Sequence, residues 1–304
     1  MNDIARKIVD KLAELHGSEE FSIAFLPYKR SMWDSMASVY EECWKRAAAP
    51  YIIPLPYYRM IDGQVECTDC DRELFENAYD VTMLTAMQFD YVVIHYPYDK
   101  YNKVTRMLPD YYTAQLRKYG NVVYIPYSCT SMRQLRVQPG IANIDYAFLP
   151  SEADAEAFIT EWKEKGVDFS GRVFGYGSPK MDAIAKLTHD EPTNTALILT
   201  SLAAYLYDPF GRIETYRTAI MNHLTAGWHV IFRPHPLLRQ TIKSMRPDTE
   251  RAYIEFIEWA KAVGCYVDET EYLEQALKEA DILISDPSSV LQMWQSTGRE
   301  YRVL

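Results

Sequence analysis

The sequence predicts an α/β protein made of two doubly wound parallel-sheet domains. Three observations point there. Short runs rich in Ile, Val, Phe and Tyr recur along the whole chain, amphipathic helical stretches separate them, and one polar, proline-containing linker, THDEPTN at 188–194, divides the series in two. With 304 residues, 48% of them hydrophobic, the chain has material for two cores. The expected domains are 1–187 and 188–304, facing a cleft.

The first element is a helix. MNDIARKIVDKLAELHG sets Ile, Val and Leu at helical spacing among charges, which reads as an amphipathic helix rather than a signal peptide or an anchor. Strands are then expected at FSIAFLP (21–27), YIIPLP (51–56), YVVIHYP (91–97), NVVYIPY (121–127), DYAFLP (145–150) and RVFGYG (172–177). Between them, MWDSMASVYEECWKRAAA and SEADAEAFITEWKEKG repeat apolar residues every three or four positions, and Ser151 with Asp154 reads as a helix start. In the second half TALILTSL, HVIFRPHP, CYVDE and DILISDPSS alternate with helices near 209–226, 248–263 and 271–280. Such alternation lays the strands parallel, with helices covering both faces. REYRVL reads as the start of one more strand, so the second domain is expected to be abbreviated.

Composition excludes several functions. A formal charge of −10 argues against a general nucleic-acid surface, which needs a basic field. Five scattered cysteines without a secretory signal read as reduced thiols of a cytoplasmic protein. The CTDC pair has no second pair, and no H-x-x-x-H or acidic triplet occurs, so neither metal nor cofactor is expected. No G-x-G-x-x-G or Walker loop is present, and no run approaches the roughly 18 apolar residues of a membrane span. Without a dense basic amphipathic helix, membrane contact is expected to be peripheral at most.

In parallel α/β sheets ligands bind beyond the carboxyl ends of the strands. That rule selects Lys29, Arg30 and Asp34, Tyr57 and Tyr58, His95 and Asp99, 127–130, Gly177 to Asp182, Arg233 and His235, and Asp286 with Ser288 and Ser289. In ADILISDPSSV a buried strand meets a helix start, which is either an anion seat of amides and hydroxyls or a plain N-cap. RPHP sets a permanent cation, Arg233, and an adjustable donor, His235, just past a strand, with Pro234 and Pro236 restricting the backbone. An oligophosphate could be held there. His95 is the preferred base for an acceptor hydroxyl, against a role as a hydrogen-bonded turn histidine. Lys29, Arg30 and the neighbouring tyrosines fit an acidic or polyol acceptor, while Asp34 fits a base or the cap of the next helix.

Arg233-Pro234-His235-Pro236, followed about fifty residues on by Asp286-Pro287-Ser288-Ser289, and preceded by Gly177-Ser178-Pro179-Lys180-Met181-Asp182, resembles the CDP-glycerol glycerophosphotransferase family of teichoic-acid polymerase type. FLPYKRSMWDS, PLPYY and IKSMRP extend the resemblance over nearly the whole chain. The resemblance implies a GT-B fold and a transferase moving glycerol phosphate from a CDP-linked donor to a hydroxyl of a polyol-phosphate or glycan acceptor, lipid-linked acceptors included. It implies Arg233, His235, Asp286, Ser288 and Ser289 on the donor phosphates, Gly177, Pro179, Lys180 and Asp182 on the donor side between the domains, and Lys29, Arg30, Tyr57, Tyr58 and Asp99 toward the acceptor. The family's W-H-G histidine has no counterpart in YIPYSCTSMRQ, which leaves His95 and Asp34 as catalytic candidates beside His235. Another nucleotide-sugar transferase of that fold, or a nucleotide-binding module without catalysis, are the competing readings.

Overall fold

The computed structural model describes residues 4–61, 63–102, 104–127, 138–185, 187, 191–270 and 272–304. Two compact units emerge, one taking Met1–Met60 and Val65–Ala183, the other Ile61–Gln64 and Ile184–Leu304.

The strands of the first half are β1 Ser22–Phe25, β2 Ala49–Ile52, β3 Tyr57–Ile61, β4 Gln64–Asp69, β5 Tyr91–Ile94, β6 Thr105–Met107, β7 Asn121–Tyr124, β8 Tyr146–Phe148 and β9 Val173–Phe174. Six of them form one sheet in the order β2-β1-β5-β7-β8-β9. Every pairing in it is parallel. Burial on both faces explains why YVVI of β5 is apolar throughout rather than alternating. Helix α1 (Ile4–His16) buries Ala5, Ile8, Val9, Leu12 and Ala13 in the same core as Ile23, Phe25, Val93 and Val123. Helix α2 (Ala37–Trp44) adds Val39 and Cys43 to that core, and α3 (Glu152–Glu164) starts at Ser151, whose side chain accepts from the Asp154 N–H. Chain order reverses between β1 and β5, which makes their ends the switch point of this sheet.

These strands end two to four residues before their sequence motifs do. Pro27, Pro54, Pro97, Pro126 and Pro150 stand just beyond β1, β2, β5, β7 and β8, and a proline cannot donate to the ladder. A small second sheet, β4-β3-β6, was not expected from the sequence. Its signal is present in the Asp-Gly at 62–63, a favoured hairpin turn, with Gly63 at φ +76°.

The second unit carries β10 Thr195–Leu199, β11 His229–Arg233, β12 Tyr266–Val267, β13 Ile282–Ser285 and β14 Glu300–Val303 in the order β12-β11-β10-β13-β14. All pairings are again parallel. The helices after α3 are α4 Pro179–Ala185, α5 Leu202–Tyr207, α6 Pro209–Thr225, α7 Leu238–Met245, α8 Glu250–Ala262, α9 Leu273–Glu279 and α10 Ser289–Gln295. Ile213, Tyr216, Ile220 and Phe256 from α6 and α8 pack on Ile198, Phe232 and Ile284 of the strands. Here the switch point lies between β10 and β13. Among the described residues no helix is long and apolar enough to cross a membrane, and no group of His, Cys, Asp and Glu could hold a metal ion.

Candidate functional site

In the second unit Leu199 pairs with Arg233 on one side and Ser285 on the other, so the three turns after β10, β11 and β13 start side by side. The middle turn ties both neighbours. The His235 N–H donates to Thr200 Oγ1 at 2.9 Å, and the Ser201 N–H donates to Asp286 Oδ2 at 2.9 Å. His235 itself is half-buried, and its Nδ1 accepts the Leu237 N–H at 3.1 Å. An acceptor Nδ1 places the proton of the neutral ring on Nε2, which makes that nitrogen the donor of the ring. Ser288 and Ser289 are also half-buried, but the Ser288 hydroxyl accepts the Leu291 N–H at 3.1 Å as the cap of α10 and lies 3.3 Å from Ser285 Oγ.

Two residues expected on the donor phosphates are engaged by the protein's own groups. Arg233 is 2% exposed, ion-paired with Asp268, and donates to Thr270 O at 2.8 Å and Thr270 Oγ1 at 3.2 Å. Its guanidinium anchors the loop after β12. Asp286 is fully buried and accepts from Arg212 Nη1 at 2.8 Å and from Tyr216 Oη at 2.5 Å, besides the Ser201 amide. Burial and this carboxylate together push the Tyr216 hydroxyl well above its usual pKa, so it stays a donor. A carboxylate would repel a pyrophosphate, and this one is already spent holding β13 to β10 and α6. Asp268, Arg212 and Tyr216 are the residues that sequence reasoning missed; only contacts across the sheet reveal them.

In the first unit the ends of β1, β5 and β7 support a cluster of aromatic hydroxyls. Tyr28 lies between Tyr57 and Tyr96, at ring separations of 5.2 and 4.5 Å, and Tyr98 Oη is 3.4 Å from Tyr127 Oη. His95 sits beside Tyr28 and Tyr127 but is fully enclosed. Its Nδ1 lies 3.2 Å from the Met32 carbonyl, which can only accept, so Nδ1 carries the proton. Burial lowers its pKa to about 4, and the charge of Lys180 adds to the effect. His95, expected to project toward an acceptor hydroxyl, is an enclosed ring packed against the Met32 carbonyl, with its Nε2 unpartnered.

The other first-unit candidates are mostly structural as well. Asp71 gathers three of them, accepting the Arg30 N–H at 2.8 Å and Tyr57 Oη at 3.0 Å and lying 4.0 Å from Lys29 Nζ, whose ammonium also covers the Tyr57 ring. Tyr57 is fully buried; Tyr58 is half-buried. Asp34 lies 4.0 Å from Arg30 Nη1 with its side chain 12% exposed. Asp99, at φ +50°, accepts the Thr113 N–H at 2.9 Å and its hydroxyl at 3.0 Å, and burial raises its pKa. It pins a turn. The stretch Gly177 to Asp182 runs back over the sheet, with the Gly177 N–H donating to Leu149 O at 3.2 Å. Gly177 has φ +112°, and a Cβ there would meet Ile4 Cδ1 at 2.6 Å. Pro179 and Lys180 are buried and Asp182 is half-buried. Of the region expected to match W-H-G, residues 128–134, Cys129 among them, lie outside the described residues.

No family model matches this chain, and no curated protein does. Solved structures match along nearly its full length. One, described as a UDP-N-acetylglucosamine 2-epimerase from Listeria monocytogenes, shares 12% identity over 94% of this chain and 79% of that one, with a TM-score of 0.56. The UDP-GlcNAc 2-epimerase of Neisseria meningitidis, solved with UDP-GlcNAc bound, gives 14%, 93%, 82% and 0.53. The wall teichoic acid polymerase TagF gives 12%, 98%, 75% and 0.50. At such identities the likeness is one of architecture, and the chain has the GT-B-like fold of two Rossmann-like parallel-sheet units.

Proposed function

We propose that the chain is a transferase that moves glycerol phosphate, or a related polyol phosphate, from a CDP-linked donor to a hydroxyl of a cell-envelope or capsule precursor, releasing CMP. The observation that carries this reading is the trio of turns after β10, β11 and β13, in which His235 is held through its own amide and its Nδ1 and presents Nε2–H as a donor. The RPHP and DPSS turns that resemble the family's motifs are the two tied together through Thr200 and Ser201. Similarity to TagF supports the class, while the epimerases solved with UDP-GlcNAc support a nucleotide-linked donor more generally.

In this reading the acceptor oxygen attacks the phosphorus next to glycerol, the bond from that phosphorus to the bridging oxygen breaks, and the electron pair leaves with CMP. His235 Nε2–H donates to the departing phosphate, with Ser289 and Thr200 as neighbouring hydroxyls. Transfer of this kind needs positioning and charge stabilisation more than covalent help. Arg233 and Asp286 act one step back, by fixing the turns that carry these groups. The acceptor proton is released to solvent rather than to His95, whose enclosed ring is out of reach.

Nucleotide binding tests the proposal. CMP or CDP-glycerol at about a hundred times its Kd should stabilise the chain by about 2.7 kcal/mol, a rise in Tm that His235→Asn removes. A rise with UDP or UDP-sugars and none with cytidine nucleotides would move the assignment to a UDP-sugar enzyme. No rise with any nucleotide would defeat both.

A further inference from the structure

Three cations of the first unit stand at the carboxyl side of its sheet, and they differ in how their charge is met. Lys29 has Asp71 at 4.0 Å and Arg30 has Asp34 at 4.0 Å. Lys180 is 8% exposed, yet among the described residues no carboxylate lies within ion-pair distance and no side chain or carbonyl accepts from it. A lysine this buried normally has a partner, because an ammonium removed from water without one is costly. The path of the chain makes the burial deliberate. After β9 the backbone turns at Gly177, passes over the end of β8 through the Gly177 to Leu149 hydrogen bond, and packs Ser178, Pro179 and Lys180 inward.

Two buried polar atoms at the neighbouring strand ends are unsatisfied. His95 Nε2, just after β5, and Tyr124 Oη, at the end of β7, are both enclosed without a hydrogen-bond partner. Lys180 is near enough for its charge to act on His95, but the two are not hydrogen-bonded. Among the described residues no carboxylate meets Lys180, and aromatic rings pack around His95.

We infer that Lys180 is the cation of an oxyanion-binding subsite built into the first unit beside the ends of β5, β7 and β8, taking a phosphate or carboxylate group of a ligand. The subsite does not rest on a CDP donor, since its residues all belong to the first unit. It reassigns Lys180 from the donor side and gives an anionic acceptor a place to put its charge.

Thermal unfolding of the full chain in inorganic phosphate, in acetate and in chloride at matched ionic strength tests it. In the unsubstituted chain and in His235→Asn, phosphate or acetate should raise Tm relative to chloride, and whichever anion acts names the ligand group. Lys180→Met should raise Tm in chloride, because an unpaired buried charge is gone, and should lose the anion-dependent rise, while Lys180→Arg keeps it. CMP binding by Lys180→Met, measured in parallel, reports separately on the second unit and is expected to be unchanged. An anion response that survives in Lys180→Met, a lower Tm for that variant in chloride, or its failure to fold would each overturn the inference.

Discussion

If His95 is a packed neutral ring, its titration must appear in stability. In the unfolded chain the imidazole ionises near 6.5, and in the folded chain burial lowers that to about 4. At 1.36 kcal/mol per tenfold change in proton affinity, the gap is worth about 3 kcal/mol. The folded pKa is the lower one, so between the two values the unfolded chain binds the proton first. The contribution of neutral His95 is thus whole above pH 6.5 and is lost as pH falls toward 4. His95→Asn is the informative change, because the asparagine amide can still donate to the Met32 carbonyl while nothing titrates. Asp99, whose pKa is raised, works in the opposite sense, but it is present in both proteins and cancels in the comparison. The expected result is that the wild-type advantage over His95→Asn shrinks by about 2 kcal/mol between pH 7.5 and pH 5, read from urea unfolding and from hydrogen exchange of the β5 amides. An advantage that stays constant across this range would refute the enclosed, neutral histidine and restore His95 as a candidate base.

Other outcomes follow from the same contacts. Arg233→Met and Asp268→Asn should each cost about 3–5 kcal/mol by stranding a buried charge, and the double variant should cost less than their sum; additive costs in denaturant unfolding would mean the pair is not coupled. Asp286→Asn should destabilise the second unit by about 3 kcal/mol, whereas Ser289→Ala should change stability by less than about 0.5 kcal/mol and weaken nucleotide binding. Equal stability losses in the two would erase the distinction between scaffold and site. Gly175→Ala places a Cβ 2.3 Å from the Glu152 backbone nitrogen, so expression as unfolded chain is expected, and a Tm within a few degrees of wild type would show that the β9 exit is looser than described.

What could be read from the sequence was the periodic part. Apolar runs broken by prolines fix where strands stop, and apolar repeats every three or four residues fix which helix faces are buried, because both depend only on neighbours along the chain. Position at a strand end was readable for the same reason, and His235, Ser288 and Ser289 do stand there. Whether a strand-end side chain is available was not readable, since availability depends on partners far away in sequence. Arg233 is spent on Asp268, 35 residues on, and Asp286 on Ser201, 85 residues back. Both look like ligand-binding residues in a linear motif because charge at a strand end serves two ends equally well: meeting a ligand, or tying the turn that does. The contrast with Lys180 sharpens the point. Its motif was the least informative of the three, yet among the described residues no carboxylate lies within ion-pair distance of it. For a strand-end charge, then, the discriminating fact is whether a carboxylate meets it, and that depends on residues far away in sequence, which only the fold brings near.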